Sequence, residues 1–476
     1  MDVPVLIAGA GPVGLSMALG LARFGVPSLV LEARTEASHE SRAPAVLPRT
    51  LEIMRGWGVL DALLAAGTRL DELAPIVVGE DSPRVRIALG ELDDVCATPF
   101  GLVCPQDRTE VVLADAVAAS GLATVRRGAA VEGFDADAHG VTVRVEGGER
   151  LRAAFLVGCD GARSTVRGGL GWDLRGRTYP VRLALADVRV HDDRDALPWP
   201  RVAPRERGAL AAVRLSPGTW RLIHTVDGEA NLASLVGEVL GAGPFEEVWS
   251  SEFQIHRRVA PRFGHGRVWL AGDAAHLVSP AGGMGMNAGI QDAHNLAWKL
   301  ARALEGGDVA ALLSAYDAER RGAVEGPLAH TTDALTRAFL LSPWRSLAIR
   351  GAVAALGHPA LRRRVLLRLA MLDVRYRSGI VEGRGLAGAR APNVTWRGGR
   401  VHDLAARRAV TFHYGRAVDD AVACDDALAR AWGLRHGDYA LLRPDGHLGY
   451  VGRDPHGVAR ASGAHVVTAR LAHLRV

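Results

Sequence analysis

The chain has 476 residues, 48% of them hydrophobic and 23% charged, a composition that is typical of globular enzymes and excludes a disordered or fibrous protein. Its length favours two or three domains. The net charge of +5 comes from scattered arginines, with Lys299 as the only lysine, and no dense basic run with interleaved aromatic residues occurs. This pattern excludes nucleic acid as an expected partner.

The cysteines and the N-terminal stretch indicate the cellular compartment in which we expect the protein. Cys96, Cys104, Cys159 and Cys424 form no CxxC pair and no metal-ligand spacing, so we expect no metal and a reduced, cytoplasmic protein. The first 34 residues are apolar enough to resemble an export signal, but Asp2 stands where such a signal is positively charged. No other run of about 18 apolar residues lacks charges, so we expect no membrane span.

The first predicted elements form a βαβ unit. A short apolar strand, VPVLIAGA, is followed at once by Gly9, Gly11 and Gly14 in the spacing GxGxxG. A helical pattern, MALGLARFG, comes next, and a second apolar strand ends at Glu32. Strand, glycine turn, helix and terminal acid therefore occur in the order of a dinucleotide-binding unit.

Each glycine of this unit has a separate physical role. Gly9 allows a tight turn, Gly11 lets the backbone approach a pyrophosphate, and Gly14 lets the helix pack closely on the strand. The positive end of the helix then faces the phosphates. The carboxylate of Glu32 accepts hydrogen bonds from a ribose diol, which favours FAD or NAD over a nucleotide with a 2′-phosphate.

Two later segments complete the pattern. Residues 155–167, FLVGCDGARSTVR, contain an apolar strand followed by Asp160 and a turn. Residues 266–301, GRVWLAGDAAHLVSPAGGMGMNAGIQDAHNLAWKLA, contain a strand that ends at Asp273, a loop rich in proline and glycine, and a long helix predicted to begin near Met286.

The three segments together resemble the class A flavoprotein monooxygenases, the FAD-dependent aromatic hydroxylases of the para-hydroxybenzoate hydroxylase type. The strings SRAPAVLPRTLEIM, QDRTEVVLADAV and GDAAHLVSPAGGMGMNAGIQDAHNLAWKLA are most similar to the branch that hydroxylates aromatic polyketides. The resemblance implies an α/β fold: a Rossmann-like FAD-binding domain, an α+β substrate domain over the flavin, and a thioredoxin-like C-terminal domain.

The resemblance also implies which residues hold the cofactor. The ADP half of FAD is assigned to the glycines and Glu32, the ribityl and phosphate region to Gln106, and a ribityl hydroxyl to Asp273. Arg42 is placed near the flavin, and Pro280, which has no N–H to donate, borders the pocket where oxygen reacts, so these two are the predicted catalytic residues. The full predicted cofactor set is Gly9, Gly11, Gly14, Glu32, Ala33, Arg34, Arg42, Gln106, Asp160, Asp273, Gly283, Gly285, Met286 and Asn287.

Purely structural alternatives stay open for several of these residues. Asp273 has the alternative of a helix cap, Arg42 that of a surface arginine, and Gln106 that of a turn residue. We expect Ser164 to cap a turn and His276 to be a structural histidine rather than an acid or base. The chain departs from many relatives at Met284, where a glutamine is common, which leaves the polarity beside the flavin open.

The predicted domains are discontinuous. Residues 1–70, 101–174 and 263–385 are assigned to the FAD-binding domain with its following helices. Residues 71–100 and 175–262, which alternate in strand-like patterns such as RLALADVRV, are assigned to the substrate domain. A boundary rich in glycine and proline precedes residues 386–476, the predicted thioredoxin-like domain, whose single cysteine excludes dithiol chemistry.

The predicted reaction follows from the resemblance. NAD(P)H, which is NADPH or NADH, reduces FAD, O2 adds to the flavin, and a C4a-hydroperoxide hydroxylates an aromatic, polycyclic phenolic substrate. The alternatives are Baeyer–Villiger oxidation, epoxidation or antibiotic-inactivating oxygenation on the same fold, and a non-enzymatic flavin-fold binding protein. We expect a monomer or a homodimer that binds neither nucleic acid nor membrane.

Overall fold

The computed structural model describes residues 2–37, 43–80, 82–83, 85–204, 209–226, 231–339, 351, 354–415, 418 and 420–461. Its helices are α1 Pro12–Arg23, α2 Pro48–Trp57, α3 Leu60–Ala66, α4 Gln106–Ala119, α5 Thr165–Gly169, α6 Leu232–Leu240, α7 Met284–Leu304, α8 Val309–Ala323, α9 Ala329–Phe339, α10 Pro359–Leu369, α11 Val401–Leu404, α12 Asp426–Trp432 and α13 Pro455–Ala461. Short 3₁₀ turns cover Leu89–Leu92 and Gly272–Ala274, and a π turn, Val324–Leu328, joins α8 to α9. Among the described residues, no helix combines the length and the apolar character that crossing a bilayer requires.

Within the described residues, the strands fall into three main sheets, a small sheet and two short pairs. In chain order they are β1 Val3–Ala8, β2 Ser28–Glu32, β3 Ala45–Val46, β4 Thr68–Leu70, β5 Glu72–Leu73, β6 Ile76–Val77, β7 Ile87–Ala88, β8 Gly101–Val103, β9 Ala123–Arg127, β10 Val131–Ala136, β11 Val141–Val145, β12 Arg150–Gly158, β13 Arg175–Val190, β14 Arg201–Pro204, β15 Ala209–Ser216, β16 Thr219–Thr225, β17 Phe245–Val259, β18 Gly264–His265, β19 Val268–Leu270, β20 His276–Leu277, β21 Glu382–Gly383, β22 Thr395–Trp396, β23 Gly399–Arg400, β24 Val410–His413, β25 Val422–Ala423, β26 Tyr439–Leu442 and β27 Leu448–Gly452. The small sheet has the order β3-β8-β4, and the short pairs are β5–β7 and β22–β23.

The first sheet is the predicted nucleotide-binding sheet. Its parallel part has the order β9-β2-β1-β12-β19, and the hairpin β10–β11 continues it along the first half of β12. β1 and the second half of β12, residues 153–158, are apolar and mostly buried on both faces, as parallel strands between helices are. Helices α1 and α7 pack against each other over this sheet, which makes its core the largest in the molecule.

The second sheet is the predicted substrate sheet, with the order β20-β17-β13-β16-β15-β14-β6. Its long central strands alternate, so that residues such as Ala186, Val188 and Leu222 face the apolar side of α6. The opposite face of the sheet turns toward α9, where Arg177 and Arg257 donate to Asp333. The strand β20 comes from the segment after Asp273, so the two sheets are joined directly at the predicted cofactor loop.

The predicted segment 71–100 divides between two places. Of the described residues in this segment, Ile76–Val77 joins the substrate sheet by pairing with β14, whereas residues 85–96 pack in a small apolar cluster against α10. The division of the chain into domains therefore remains a prediction, with this segment shared between the substrate sheet and the helices that follow the FAD-binding part.

The third sheet, β21-β27-β26-β24-β25, forms a separate C-terminal core with α12 around Phe412 and Trp432. The thioredoxin-like description of this part stays a prediction. Cys424 is free and half-buried, and burial raises the pKa of its thiol to about 12. A thiol with so high a pKa is a poor nucleophile at neutral pH.

Candidate cofactor site

The predicted motifs meet at one edge of the parallel sheet. The glycine turn follows β1, Glu32 ends β2, Asp160 follows β12, and Asp273 follows β19. These four strands are neighbours and run parallel, so their carboxyl ends lie side by side. In open α/β sheets this edge is the place where nucleotides bind.

The glycine turn is tightly packed on one side and open on the other. Gly9 has a φ of +98°, and a Cβ there would lie 2.5 Å from the carbonyl oxygen of Cys159. A Cβ on Gly14 would lie 1.9 Å from the carbonyl oxygen of Gly9, so helix and turn touch backbone to backbone. A Cβ on Gly11 would meet nothing within 4 Å, which leaves the space in front of the N-terminus of α1 open.

Glu32 is tied to the glycine turn. Its Oε2 accepts a hydrogen bond from the backbone N–H of Ala10 at 2.7 Å, and its Oε1 accepts from the backbone N–H of Arg34 at 3.0 Å and from the Arg34 Nε at 3.2 Å. Burial opposes ionisation of Glu32, but these bonds outweigh it and lower the pKa of the carboxyl group. Ala33 and Arg34 are exposed beside it.

Gln106 is the first residue of α4, and its Nε2 donates to Glu110 Oε1 at 3.0 Å. Burial raises the pKa of Glu110, whose carboxylate also feels the charges of Arg34 and Glu32. The first turn of α4 thus lies close to the end of β2. This position agrees with a cofactor contact and does not exclude the turn-residue alternative.

The side chain of Asp160 makes its hydrogen bonds to residues four and six positions further along the chain. Its Oδ1 accepts from Ser164 Oγ at 2.5 Å and its Oδ2 from the backbone N–H of Val166 at 3.0 Å. Ser164 caps α5 by accepting from the backbone N–H of Arg167 at 2.9 Å, which confirms its prediction as a capping residue. The Arg167 guanidinium donates to the carbonyl of Ala274 at 3.0 Å and so joins this turn to the Asp273 segment.

The Asp273 segment packs directly on the start of α1. A Cβ on Gly272 would lie 2.8 Å from Val13 Cγ2, and a Cβ on Gly289 of α7 would lie 2.5 Å from the same atom. The backbone N–H of Gly272 donates to Asp292 Oδ2 at 3.0 Å. Asp273 itself is exposed and directly follows Gly272, which packs on Val13 at the start of α1.

The loop before α7 ends in a glycine N-cap. Gly283, with a φ of +64°, precedes Met284, so the helix begins two residues before the predicted start near Met286. The backbone N–H of Gly283 donates to the carbonyl of Pro280 at 2.9 Å, and Pro280 is exposed. Gly285 and Met286 lie half-buried in the first turn, where backbone N–H groups have no helical partner.

Asn287 fixes this helix start to a neighbouring strand. Its Oδ1 accepts from the backbone N–H of Leu47, and its Nδ2 donates to the carbonyls of Ala45 and Gly283 at 2.8 and 2.7 Å. The amide of Asn287 is fully buried, and its hydrogen bonds are made within the protein. They hold residues 45–47 against the N-terminus of α7. Arg42 lies outside the described residues, five positions before Leu47.

Two further expectations concern the same loop. His276 is buried, and its Nε2 lies 2.7 Å from Asp292 Oδ2; its structural role stays a prediction. Met284 is buried at 1% exposure, with its side chain folded back toward Gly282. Its effect on polarity beside a flavin stays a prediction.

Comparison with known proteins decides the family. The FAD binding domain family matches residues 2–210 and 222–330, which is more than half of the chain. The chain belongs to this family, the class A flavoprotein monooxygenases. A rifampicin monooxygenase of Streptomyces venezuelae is 32% identical over 94% of this chain and 96% of that protein.

Two other relatives of this class A monooxygenase come from Streptomyces rimosus. The 6-methylpretetramide 4-monooxygenase is 33% identical, with 99% of this chain and 93% of that protein covered. The solved structure of the OxyS anhydrotetracycline hydroxylase has a TM-score of 0.80 and 31% identity, with 98% of this chain and 100% of that chain covered. The α/β flavoprotein fold expected from the sequence is thereby confirmed.

The residues of this class A monooxygenase fit FAD. The space that a Cβ on Gly11 would enter is free, a carboxylate stands at the end of β2, and Asp273 is exposed beside the N-terminus of α1. The amide-rich helix starts of α1 and α7 both suit a negatively charged group. Among the described residues, no three His, Cys, Asp or Glu side chains are grouped to hold a metal ion.

Sequence reasoning missed the charged cluster behind the cofactor edge of this monooxygenase. Asp292, which holds Gly272 and His276, also accepts from Arg320 Nε at 2.7 Å. The cluster continues through α7 and α8 to the turn between β26 and β27. We call it the buried network, and it consists of His276, Asp292, Asn295, Lys299, Glu319, Arg320, Tyr376, Arg443 and Asp445.

A signal for this network exists in the sequence. Asp292, Asn295 and Lys299 are spaced three and four residues apart, so they share one face of a helix that is buried over most of its length. A polar stripe on a buried helix requires polar partners. The sequence does not say which residues supply them.

Proposed function

We propose that this flavoprotein monooxygenase hydroxylates a polycyclic phenolic substrate of the aromatic polyketide type, with NAD(P)H and O2 as co-substrates. The convergence of four motif segments at the carboxyl edge of β2, β1, β12 and β19 carries the proposal. Support for the substrate class comes from the 6-methylpretetramide and anhydrotetracycline enzymes, to which the chain is similar over nearly its whole length.

Bound FAD supplies the redox chemistry: it takes two electrons from NAD(P)H and passes one atom of O2 to the ring. The residues of the chain hold it. We assign the ADP half to the glycine turn, Glu32, Ala33 and Arg34, and the ribityl region to Gln106 and Asp273. Arg42 and Asp160 are assigned near the pyrophosphate, and the ring system is assigned to the segment from Pro280 to Asn287.

The start of α7 contributes electrostatics. Its free N–H groups and the helix dipole favour negative charge beside Gly283, Gly285 and Met286. Pro280 donates no hydrogen bond, so the wall that it forms is unreactive toward an oxygen species. No triad or pair of catalytic carboxylates is required, because the protein's task is to position the ring and exclude water.

The inner face of the substrate sheet provides an apolar wall. Leu183, Leu185, Ile223 and Phe253 share this face, as their pairing across β16, β13 and β17 requires. The same face of β17 continues toward Arg257, which donates to Asp333 of α9. Since α9 also contacts the loop before α7, the wall leads to Pro280.

One polar row crosses this wall. Asp187 lies opposite Arg221 on one side and Trp249 on the other. The Arg221 Nε and Nη2 donate to Asp187 at 2.6 and 2.8 Å, and the guanidinium lies 5.3 Å from the centre of the Trp249 ring. A buried, neutralised pair beside an aromatic ring suits an uncharged polycyclic phenol, whose hydroxyl groups need a few polar contacts.

The cofactor assignment is tested by reconstitution of the FAD-free protein. Gly11→Ala places a methyl group in the free space in front of α1, so we expect the Kd for FAD to rise at least about tenfold with unchanged stability. Gly237→Ala in α6 is the matched control, because its Cβ also meets nothing within 4 Å and lies on the outer helix. Equal FAD affinity in both variants contradicts the assignment.

The reaction is tested with a panel of tetracyclic and simpler phenols, NADPH or NADH, and ¹⁸O2. We expect a substrate-dependent acceleration of coenzyme oxidation and a product heavier by one labelled oxygen with an intact carbon skeleton. A protein that takes up no FAD, or that no phenol stimulates, contradicts the proposal.

The similarity to rifampicin monooxygenase supports a second candidate, the oxygenation of a finished antibiotic. Baeyer–Villiger oxidation and epoxidation belong to the same group of alternatives. Adding rifampicin to the panel and determining the position of the labelled oxygen separates them, since insertion into a ring and hydroxylation of a ring leave different skeletons. Cytoplasmic location and a monomeric or homodimeric state stay predictions.

A further inference from the structure

A second feature of the protein is a cleft of about 480 Å³ lined by four arginines. Arg175 and Arg177 come from β13, Arg257 from β17, and Arg321 from α8. We call these four residues and the space between them the arginine cleft. They belong to three separate elements, so their convergence is a product of the fold rather than of a local basic run.

Strand pairing sets the spacing of the arginines. Arg177 lies directly opposite Arg257, and Arg175 lies opposite Val259 on the next pair along the same face. Like charges directly opposite each other on a sheet are unfavourable without an anion between them. The arrangement therefore requires negative charge on this face.

The protein itself supplies only part of that negative charge. Asp333 Oδ2 accepts from Arg177 Nη2 at 2.7 Å and from Arg257 Nη1 at 2.6 Å. Glu325 accepts from Arg321 at 3.1 Å. Within the part of the chain that the structure describes, Arg175 makes no ion pair. Arg321 Nε also lies 3.3 Å from Asp317 Oδ1. Four guanidinium groups thus face three carboxylates, which leaves one positive charge, that of Arg175, unmatched.

The arginine cleft adjoins the cofactor loop. Its floor includes Val259 and Ala260, where Val259 pairs with His276 and the backbone N–H of Ala260 donates to the carbonyl of Ala275 at 2.8 Å. These contacts lie two and three residues after Asp273. On another side, α9 connects Asp333 of the cleft wall to Thr336, which bonds Ser279 next to Pro280.

An exposed cluster of guanidinium groups suits a phosphate. Arginine presents a planar fork of N–H groups that matches phosphate oxygens, and charge-assisted bonds of this kind are strong. The two forms of the reduced nicotinamide coenzyme differ by one phosphate on the adenosine ribose. The N-terminal βαβ unit is assigned to FAD, so the coenzyme needs another place for its phosphate.

We propose that the arginine cleft binds the 2′-phosphate of NADPH, which makes NADPH rather than NADH the preferred reductant. This inference rests on the proposed function, in which a reduced nicotinamide coenzyme supplies the electrons. Arg175 is the residue with the largest expected contribution, because Arg177, Arg257 and Arg321 already share carboxylates of the protein.

The test is calorimetric titration of the FAD-loaded protein with NADP⁺, NAD⁺ and inorganic phosphate. For the wild type we expect tighter binding of NADP⁺ than of NAD⁺. Arg175→Ala should raise the Kd for NADP⁺ about tenfold and leave the Kd for NAD⁺ within about twofold, while Arg175→Lys should lie between. Because Arg175 is exposed, these variants should fold normally, which circular dichroism checks.

The control is Arg408→Ala, which removes the same charge from an exposed bend of the C-terminal part. Unchanged NADP⁺ affinity in Arg175→Ala, or an equal loss in Arg408→Ala, overturns the inference. Binding of inorganic phosphate without a preference for NADP⁺ over NAD⁺ also overturns it, since the cleft is then a general anion site.

The same titrations separate this inference from the proposed function. A wild type that oxidises a phenol with NADPH, but whose NADP⁺ binding ignores Arg175, keeps the function and loses the cleft assignment. A wild type whose NADP⁺ binding depends on Arg175, but which oxidises no phenol, keeps the cleft assignment and loses the proposed substrate.

Discussion

The arginine cleft and the buried network both consist of basic and acidic side chains, but they differ in how far these charges are paired and buried. In the buried network Lys299 and Glu319 have fully buried side chains 2.6 Å apart, and Arg443 donates to Glu319 at 2.7 Å and to Asp445 at 2.5 Å. In the arginine cleft the side chains of Arg177 and Arg257 are 47% and 30% exposed. One region has a partner for each charge, and the other has cations in excess.

The pKa values within the buried network reflect this pairing. Burial lowers the pKa of Lys299 to about 8, although Glu319 opposes the shift. Burial works against ionisation of Glu319 as well, but Arg443 and Lys299 outweigh it and lower the pKa of that carboxyl to about 2. The charges of the buried network thus depend on one another.

Charges that stabilise the fold and charges that bind a ligand can be told apart in this molecule by their partners. A buried charge without a partner is unstable, so a complete network is the expected state of the interior. An exposed excess of one sign is tolerated by solvent and attracts a ligand of the other sign. Pairing within the protein, rather than residue type, distinguishes the two.

The largest effect should come from breaking the network. Glu319→Ala leaves Lys299 and Arg443 buried with part of their negative charge removed, so we expect a loss of about 3–5 kcal/mol in the free energy of unfolding. Urea denaturation measures it. Glu305→Ala removes the exposed partner of Arg302 and should cost less than about 1 kcal/mol. Similar losses in both variants contradict the distinction.

Acid should weaken the network next. In the unfolded chain Glu319 takes up a proton near its ordinary pKa of 4.5, whereas in the folded chain it stays ionised down to a pH of about 2. Its stabilising contribution is therefore complete above pH 4.5 and is lost as the pH falls toward 2, on the order of 3 kcal/mol in all. Urea denaturation between pH 7 and pH 3 measures the decline, and a flat profile contradicts it.

A smaller effect, on the affinity for FAD, is expected where the buried network contacts the cofactor edge. Asp292→Asn weakens the bonds to Gly272 and His276, which position the Asp273 segment, so we expect about a tenfold rise in the Kd for FAD. Flavin fluorescence titration measures it. The control Asp308→Asn changes the N-cap of α8, where asparagine caps equally well. If FAD affinity is unchanged in Asp292→Asn, the network does not position the site.

The smallest effect should come from salt. Raising NaCl from 50 to 500 mM should weaken NADP⁺ binding a few-fold, since the arginine cleft is open to solvent and screened. The unfolding midpoint in the same buffers should change little, because the network is buried. NAD⁺ is the control ligand and should respond less. Salt-independent NADP⁺ binding contradicts the electrostatic account of the cleft.

The cofactor edge could be predicted from the sequence because its signals are local. Glycine spacing, an apolar strand and a terminal acid all lie within residues 3–34, and the parallel order of β2, β1 and β12 brings the later motifs to the same edge. Details of single side chains could not be predicted in this way. Asp160 caps a turn and Asn287 clamps residues 45–47, and neither bond is visible in a motif.

The buried network and the arginine cleft could not be predicted, because the residues that pair within them are distant in the chain. Asn295 and Asp445 are 150 residues apart, and Arg177 and Asp333 are 156 apart. The cleft further depends on the antiparallel register of β13 and β17, which contains an irregularity between Thr178 and Arg182. Sequence shows which residues need partners, but only the register and the packing of α8 and α9 select them.

The burial of Lys299 also has a practical consequence. It is the only lysine among 476 residues, and its side chain is fully buried. Acylating reagents that attack primary amines will therefore find no lysine on the native surface, and coupling through lysine will fail to immobilise the active form. Once α7 and α8 separate, the same amine becomes reactive. The rate at which Lys299 is acylated therefore reports how often this part of the interior opens.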